Sequence, residues 1–443
     1  MNSATFTHEV QLRNKNLMIE LLIISIIIVL FRLPFVGLLS LLSGLNTYVI
    51  ARFTLPLPIT ITLLYFLFRM RIKKVEKYPI LLFIFFAIMV GVLYGLFLCC
   101  FYPQAPPVDI MKSLSSAHLF LLFPFLLINL PLEKDDYRYI IDRVVYLVII
   151  IGGSITIIEG IGIYSGWLTY QDVYNFIGGD FYGLRSGSFR PNGILADPAA
   201  SSILLVACTT YYTVQKLSYG KIRMKHIRRY RYKWYPIIIG SISVFISGVL
   251  TSSLIFIFIE GFIILKYAKS YDQVALIVIG SFTVFLLFAI GNVGERAQFY
   301  WEFKDKYLPL FLPQLSTWEW EHFCLLGYCE SPKFSIGEFH FFDYMLKFGF
   351  LPFIPWIILV CLPLYKAACP SSIEIIDRAP MTLCLVFLLS IVHYSGLERW
   401  GSNYVYWLAV MMLFSKPSIG RSLDDSGKQV LPTHYMVMAG RQR

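Results

Sequence analysis

Apolar and polar positions fall in long blocks along this chain, and the apolar blocks recur from end to end at a length that crosses a hydrocarbon core of roughly 30 Å. Read against the charged breaks between them, they predict about twelve helical spans, near residues 17–42, 48–68, 79–101, 114–131, 144–166, 194–214, 235–250, 251–267, 272–292, 342–365, 380–396 and 403–416. Within 235–267, Ser247-Gly248 and Thr251-Ser252-Ser253 interrupt the apolar run and predict a tight turn between two short spans instead of one long tilted helix. The first span follows polar residues that include His8, Glu9, Arg13 and Lys15 and has no small-residue cleavage site, the pattern of a retained helix and not of a signal peptide. No segment between the blocks has the size of a separate soluble domain. The expected architecture is therefore all-α: a single membrane domain, 1–443, of polytopic integral type.

Composition agrees. The chain has 443 residues, 57% hydrophobic and 15% charged, with a mean hydropathy of +0.66, outside the range of soluble globular domains. Lysine and arginine then set the orientation, because translocating them is disfavoured. Arg69-Met70-Arg71-Ile72-Lys73-Lys74 and the denser connection 215–234, with Lys216, Lys221, Arg223, Lys225, Arg228, Arg229, Arg231 and Lys233, are predicted cytoplasmic. Twelve spans place both termini inside, with 417–443 as a cytoplasmic tail, and leave two larger outer loops, 167–193 and 293–341. The second is acidic (Glu295, Glu302, Glu319, Glu321, Glu330, Glu338). A net charge of +11 raises nucleic-acid binding, but the excess lies in cytoplasmic connections that face anionic headgroups, and that reading is set aside. Cys99, Cys100, Cys208, Cys361 and Cys384 fall in or beside spans, where cysteine packs as a small apolar residue. Cys324 and Cys329 lie in the second outer loop, where an oxidising compartment permits a disulfide.

A transport path needs ionisable groups near the bilayer midplane, whereas most of those here cluster toward the outer face, with Glu159, Glu260 and Arg32 as exceptions. No inverted repeat is visible. The chemistry-bearing stretch is Leu184-Arg185-Ser186-Gly187-Ser188-Phe189-Arg190-Pro191-Asn192-Gly193-Ile194-Leu195-Ala196-Asp197-Pro198, at the outer end of the sixth span. Guanidinium groups there favour an anionic, lipid-linked substrate, because they form charge-assisted bidentate hydrogen bonds with phosphate oxygens. Gly187, Pro191, Gly193 and Pro198 impose a compact backbone that anchoring to headgroups does not require. Arg296 opens the second outer loop, so three arginines stand at one predicted level. Asp197-Pro198 also reads as a helix start, aspartate capping and proline in the first turn. Glu338 and His340 likewise read as a capping or interfacial pair at the tenth span. The acid pair Glu319-Trp320-Glu321 has the spacing of a divalent-metal site but sits in an acidic loop and reads as a solvated face. No metal and no cofactor is expected.

Arg185-Ser186-Gly187-Ser188-Phe189-Arg190-Pro191-Asn192-Gly193 with Asp197-Pro198, running into an apolar span, resembles the motif of the O-antigen polymerase and ligase family. Glu295-Arg296-Ala297-Gln298-Phe299-Tyr300-Trp301 opens the second loop, and Gly337-Glu338-Phe339-His340-Phe341-Phe342-Asp343-Tyr344-Met345-Leu346-Lys347-Phe348-Gly349-Phe350 closes it, again similar to the family. The resemblance covers about 150–370 in order and spacing.

It implies a metal-independent, inverting glycosyltransferase acting at the outer face of a bacterial inner membrane on undecaprenyl-diphosphate-linked sugars. A Wzy-type polymerase moves the growing glycan (O-antigen, capsule or exopolysaccharide) onto the next lipid-linked repeat unit. A ligase moves finished O-antigen onto lipid A-core to complete lipopolysaccharide. The family's ligases carry a histidine where this chain has Glu338, which favours the polymerase. The reaction must stabilise charge on the departing diphosphate and take a proton from the acceptor hydroxyl. Arg190 and Arg296 are the candidates for the diphosphate, with Arg185 and Asn192 as further contacts. Glu338, then His340, then Asp197 are candidates for the base, and Tyr300 and Trp301 for stacking on sugar rings. Implied partners are the lipid-linked oligosaccharide donor and acceptor, a chain-length regulator and a flippase. A flippase or exporter of the same lipid-linked oligosaccharides is the alternative from another class.

Overall fold

The computed structural model describes residues 3–32, 54–68, 78–101, 119–169, 191–195, 197–219, 233–267, 350–368, 375–391 and 400–415, with single or paired positions at 35, 42–43, 172, 280 and 397; all regular secondary structure among them is helical. The helices are α1 (Ser3–Leu30), α2 (Leu57–Phe68), α3 (Tyr78–Phe101), α4 (Leu122–Asn129), α5 (Lys134–Leu147), α6 (Gly153–Tyr164), α7 (Pro198–Tyr219), α8 (Tyr235–Ile246), α9 (Leu250–Tyr267), α10 (Phe350–Val360), α11 (Leu362–Ala368), α12 (Arg378–Ile391) and α13 (Trp400–Phe414). The all-α expectation holds.

Several boundaries differ from the sequence reading. The first predicted span, 17–42, begins as helix at Ser3. The fifth, 144–166, begins ten residues earlier, at Lys134. The reason is local: Asp136 Oδ2 accepts the Glu133 N–H at 2.7 Å, and Asp135 and Asp136 in the first turn suit the positive end of the helix dipole. A π-helical turn, Val148–Gly152, joins α5 to α6 without a break. The run Lys134–Tyr164, 31 residues, is the one continuous helix among the described residues long and apolar enough to cross a membrane. A second candidate is the bent pair Leu351–Val360 and Leu362–Ala368, at 48°. Pro355 inside α10 and Pro363 at the start of α11 remove backbone donors at this bend. Shorter apolar helices are Leu57–Leu67, Leu82–Phe97, Tyr235–Ile246 and Arg378–Ile391. The predicted turn between α8 and α9 is present. Gly248 takes φ +64°, and Ser247 Oγ reaches the Val244 carbonyl at 2.6 Å and Ser202 Oγ at 2.9 Å. The 272–292 span (apart from Gly280), the 293–341 loop and the 417–443 tail lie outside the described residues.

Helix α7 is central and packs against α8, α9, α12 and α5. Its buried surface is unusually polar, with Ser201, Ser202, Thr209, Thr210, Thr213, Gln215 and Ser218 all enclosed. Tyr211 Oη and Gln215 Nε2 each donate to Asp142 Oδ1 of α5 at 2.7 Å. Thr213 Oγ1 donates to Glu260 of α9 at 2.8 Å. The opposite holds outside: Leu254, Ile257, Phe258, Phe262 and Leu265 on α9, Leu82, Phe85, Phe86, Met89 and Leu93 on α3, and Ile158 and Ile161 on α6 are exposed.

Polar and cation–ring contacts tie the helices together. At one end Lys15 Nζ meets Asp136 at 2.5 Å, Tyr139 donates to Glu20 at 3.0 Å, Lys216 lies over the Trp234 ring at 5.0 Å and Arg378 over the Tyr267 ring at 5.3 Å. Asp377, fully buried, there receives Lys134 at 2.7 Å and Lys366 at 3.2 Å. Lys366 also donates to the Leu413 carbonyl. At the other end Tyr164 donates to the Ile246 carbonyl at 2.9 Å and Tyr404 to that of Leu55 at 3.1 Å.

Candidate functional site

The sequence singled out the stretch 184–198, and the described part of it, 191–195 with Asp197 and Pro198, is a built turn. Pro191, Asn192, Gly193 and Ile194 are buried. Gly193 has φ +62°, a conformation that L side chains rarely adopt. A Cβ there would also stand 2.7 Å from that of Ser201. The position demands glycine on both counts.

Two helices hold the turn from opposite sides. From α6, Glu159 accepts the Asn192 N–H on Oε1 at 2.7 Å and the Gly193 N–H on Oε2 at 2.9 Å. From the first turn of α7, Ser201 Oγ donates to the Asn192 carbonyl at 2.8 Å and accepts the Leu195 N–H at 3.0 Å. Glu159 is 9% exposed and Ser201 1%. A carboxylate supplies two acceptors side by side, matching two successive backbone donors. Without them, two buried N–H groups would be orphaned, each at a cost of about 1–3 kcal/mol.

Helix α6 comes close enough to do this because it packs tightly on α8. A Cβ added to Gly153 would meet Ile239 at 2.9 Å, and one added to Gly160 would meet Ile246 at 2.8 Å. Small residues at these two positions let the backbones approach and bring Glu159 to the turn. After the turn, Asp197 Oδ1 accepts the N–H groups of Ala199 and Ala200 at 3.0 and 3.1 Å. This is an N-cap with Pro198 at the first helical position, and it fixes where α7 starts.

Of the sequence candidates, Asp197 thus caps a helix and Asn192 is buried in the clamped turn, its Nδ2 enclosed without a hydrogen-bond partner. Arg185, Arg190, Arg296, Tyr300, Trp301, Glu338 and His340 lie outside the described residues, as do Cys324 and Cys329. Beyond the C-terminal end of α6, the Thr169 hydroxyl and N–H both donate to Asp172, at 2.5 and 2.9 Å. Those two bonds hold the Asp172 carboxyl below its usual range. Cys208 and Cys384 are buried free thiols. Among the described residues no group of three or more His, Cys, Asp or Glu side chains converges on a point that would hold a metal ion.

Sequence reasoning noted Glu159 only as an acid inside a span. The signal available was its position: an uncompensated carboxylate in the apolar run 144–166, opposite a Pro-Asn-Gly turn rich in backbone donors. Asp142 and Gln215 were missed because both fell just outside the predicted spans.

No protein-family model matches the chain, and no curated protein or solved structure does.

Proposed function

We propose that this protein is a multi-pass enzyme of a bacterial inner membrane that polymerises a surface polysaccharide at the periplasmic face. It transfers the growing glycan from undecaprenyl diphosphate onto the next lipid-linked repeat unit without a metal. About twelve spans with both termini cytoplasmic form its scaffold.

The observation that carries the reading is the clamped turn at Pro191-Asn192-Gly193. A segment whose residue pattern resembles the family's arginine motif is held rigid by four side-chain hydrogen bonds from two helices. A loop that merely connected two spans would need no such enclosure. The apolar outer surfaces of α3, α6 and α9 support the membrane setting, since soluble monomers rarely expose apolar patches of this extent.

In this reading Arg190 and Arg296 take the diphosphate, with Arg185 and Asn192 as further contacts. Their charge-assisted hydrogen bonds favour the additional negative charge that the diphosphate gains as the glycosidic C–O bond breaks, which lowers the barrier to displacement. Glu338, backed by His340, takes the acceptor proton, while Asp197 serves the helix start. Tyr300 and Trp301 offer faces for the sugars. The donor and acceptor are lipid-linked oligosaccharides, and a chain-length regulator and a flippase are the expected partners.

The test is deletion of the gene in its own host, followed by gel and mass analysis of surface glycan and of the lipid-linked pool. Surface glycan reduced to a single repeat unit is expected. Long polymer stranded on its lipid carrier would instead make the protein a ligase. Single repeats trapped on the cytoplasmic side would make it a flippase.

A further inference from the structure

We propose that the C-terminal end of α9 and the start of α12 form a binding site for one anionic phospholipid of the cytoplasmic leaflet, its phosphate taken by Lys266 and Arg378 and its acyl chains laid along the outer face of α9. The proposal rests on the membrane setting and orientation given under Proposed function and not on the reaction proposed there.

Lys266 and Tyr267 close α9, and Arg378 opens α12. Both cations lie over the same ring: Lys266 Nζ is 5.5 Å from the Tyr267 centroid and Arg378 Cζ is 5.3 Å from it. Lys266 also stands 5.3 Å from the Phe262 centroid. An aromatic face attracts a cation but carries no net charge, so it leaves the repulsion between the two cations in place. The acid next to Arg378 in sequence, Asp377, is fully buried and turned to Lys134 and Lys366. The acid on α9, Glu260, is enclosed and accepts Thr213. Among the described residues no carboxylate is ion-paired with Lys266 or Arg378. An anion from outside the chain would offset both at once. A phosphodiester does so with its two free oxygens, one for each cation.

The surface beside these cations says which anion. Going back from Lys266 along α9, Leu265, Phe262, Phe258, Ile257 and Leu254 are all exposed, at the three- and four-residue spacing of one helix face. On the same face a Cβ at Gly261 would meet no described residue within 4 Å, which leaves an open notch between Phe258 and Leu265. From Leu254 to Leu265 the stripe runs about 16 Å at the rise of an α-helix, close to half of a hydrocarbon core of roughly 30 Å. It is therefore one leaflet deep, with its charge at the interfacial end. A soluble phosphate has no use for such a face, whereas the chains of a phospholipid cover it.

The experiment titrates the full chain in detergent with dioleoyl phosphatidylglycerol or with dioleoyl phosphatidylcholine, which has the same chains, and counts bound lipid by native mass spectrometry. Wild type is expected to bind one phosphatidylglycerol about tenfold more tightly than phosphatidylcholine, or better. Lys266→Gln with Arg378→Gln should weaken phosphatidylglycerol binding about tenfold, the effect of losing hydrogen bonds between charged groups, and leave phosphatidylcholine unchanged. Lys233→Gln removes another cation that lies over a ring, 5.6 Å from the Tyr235 centroid, and should alter neither. Equal affinities in wild type, a preference that survives the double variant, or an equal loss in Lys233→Gln, the mark of diffuse charge, would overturn the proposal. Glycerol 1-phosphate, a headgroup without chains, should not displace the lipid; displacement would make this a site for soluble phosphate and overturn the lipid assignment. If neither lipid binds, the membrane setting fails and the site with it. Should the double variant not be recovered folded, Lys266→Gln alone, at an exposed side chain, decides by the same comparison.

Discussion

Asp377→Asn is expected to loosen the end of the helix assembly that carries the basic connection. Asp377 is fully buried and receives Lys134 on Oδ1 at 2.7 Å and Lys366 on Oδ2 at 3.2 Å, with both lysine side chains largely enclosed. Three elements meet there: the start of α5, the end of α11 and the turn before α12, while Lys366 reaches on to the last turn of α13. At an effective dielectric of about 20, each lysine is attracted by about 5–6 kcal/mol at such distances. Desolvation and the mutual repulsion of the two ammonium groups offset much of this. Breaking a buried pair by neutralising one partner nevertheless costs about 3–5 kcal/mol, because the remaining charge has no water to return to. In Asp377→Asn two ammonium groups lose their counter-ion together.

The assay is a thermal unfolding curve of purified protein in detergent. With an unfolding entropy of about 2.1 cal/mol/K per residue over 443 residues, 3–5 kcal/mol lowers Tm by about 3–5 °C. The triple change Lys134→Met, Lys366→Met, Asp377→Leu should recover most of that loss, since replacing a buried ion cluster whole by apolar groups of similar volume is often neutral or stabilising. An Asp377→Asn curve within 1 °C of wild type, or a triple variant less stable than the single one, would refute the reasoning.

Other expectations follow from the same contacts. Gly240→Ala would set a Cβ 2.1 Å from Thr209 Oγ1 and 2.8 Å from its Cγ2; overpacking of this kind costs about 1–3 kcal/mol, and Thr209→Ala, which removes both atoms, should return part of it in the same unfolding assay. Asn192→Leu removes an enclosed amide donor that has no partner, so Tm should hold or rise while binding of undecaprenyl diphosphate falls; a lower Tm with unchanged binding would deny Asn192 a ligand contact. Gly193→Ala combines a φ of +62° with a 2.7 Å approach to Ser201 and should cost about 1–2 kcal/mol for the left-handed backbone alone, read as reduced Tm and shortened glycan together. Adding a chelator to membranes that polymerise glycan in vitro should leave the rate unchanged, and a loss restored by a divalent ion would contradict the metal-independent reading.

What the sequence made legible was local. The Ser247-Gly248 break was readable because a glycine after an apolar run stops a helix by taking φ above zero, and the structure has that turn. The compact shape of Pro191-Asn192-Gly193 was readable for the same kind of reason. The start of α5 was not, because Lys134, Asp135, Asp136, Arg138 and Asp142 read as a polar connection when taken along the chain. The helix starts there on a local cap, and three of these residues also find counterparts far away: Lys15 for Asp136, Asp377 for Lys134, Tyr211 and Gln215 for Asp142. The long spacing between such partners leaves no period to detect. Glu159 is the sharpest case, since its partners are backbone N–H groups, which every residue but proline carries and no sequence pattern marks. An acid in an apolar span is therefore better met with a question about nearby turns than about other charges. A tight Pro-Asn-Gly turn presents unpaired donors at the end of a helix, and a carboxylate one packed helix away is the side chain that can take two of them at once. Applied to Glu260, which is buried and partnered by Thr213, the same question finds no turn among the described residues. Its neighbour is the middle of α7, and it serves helix packing and not the site.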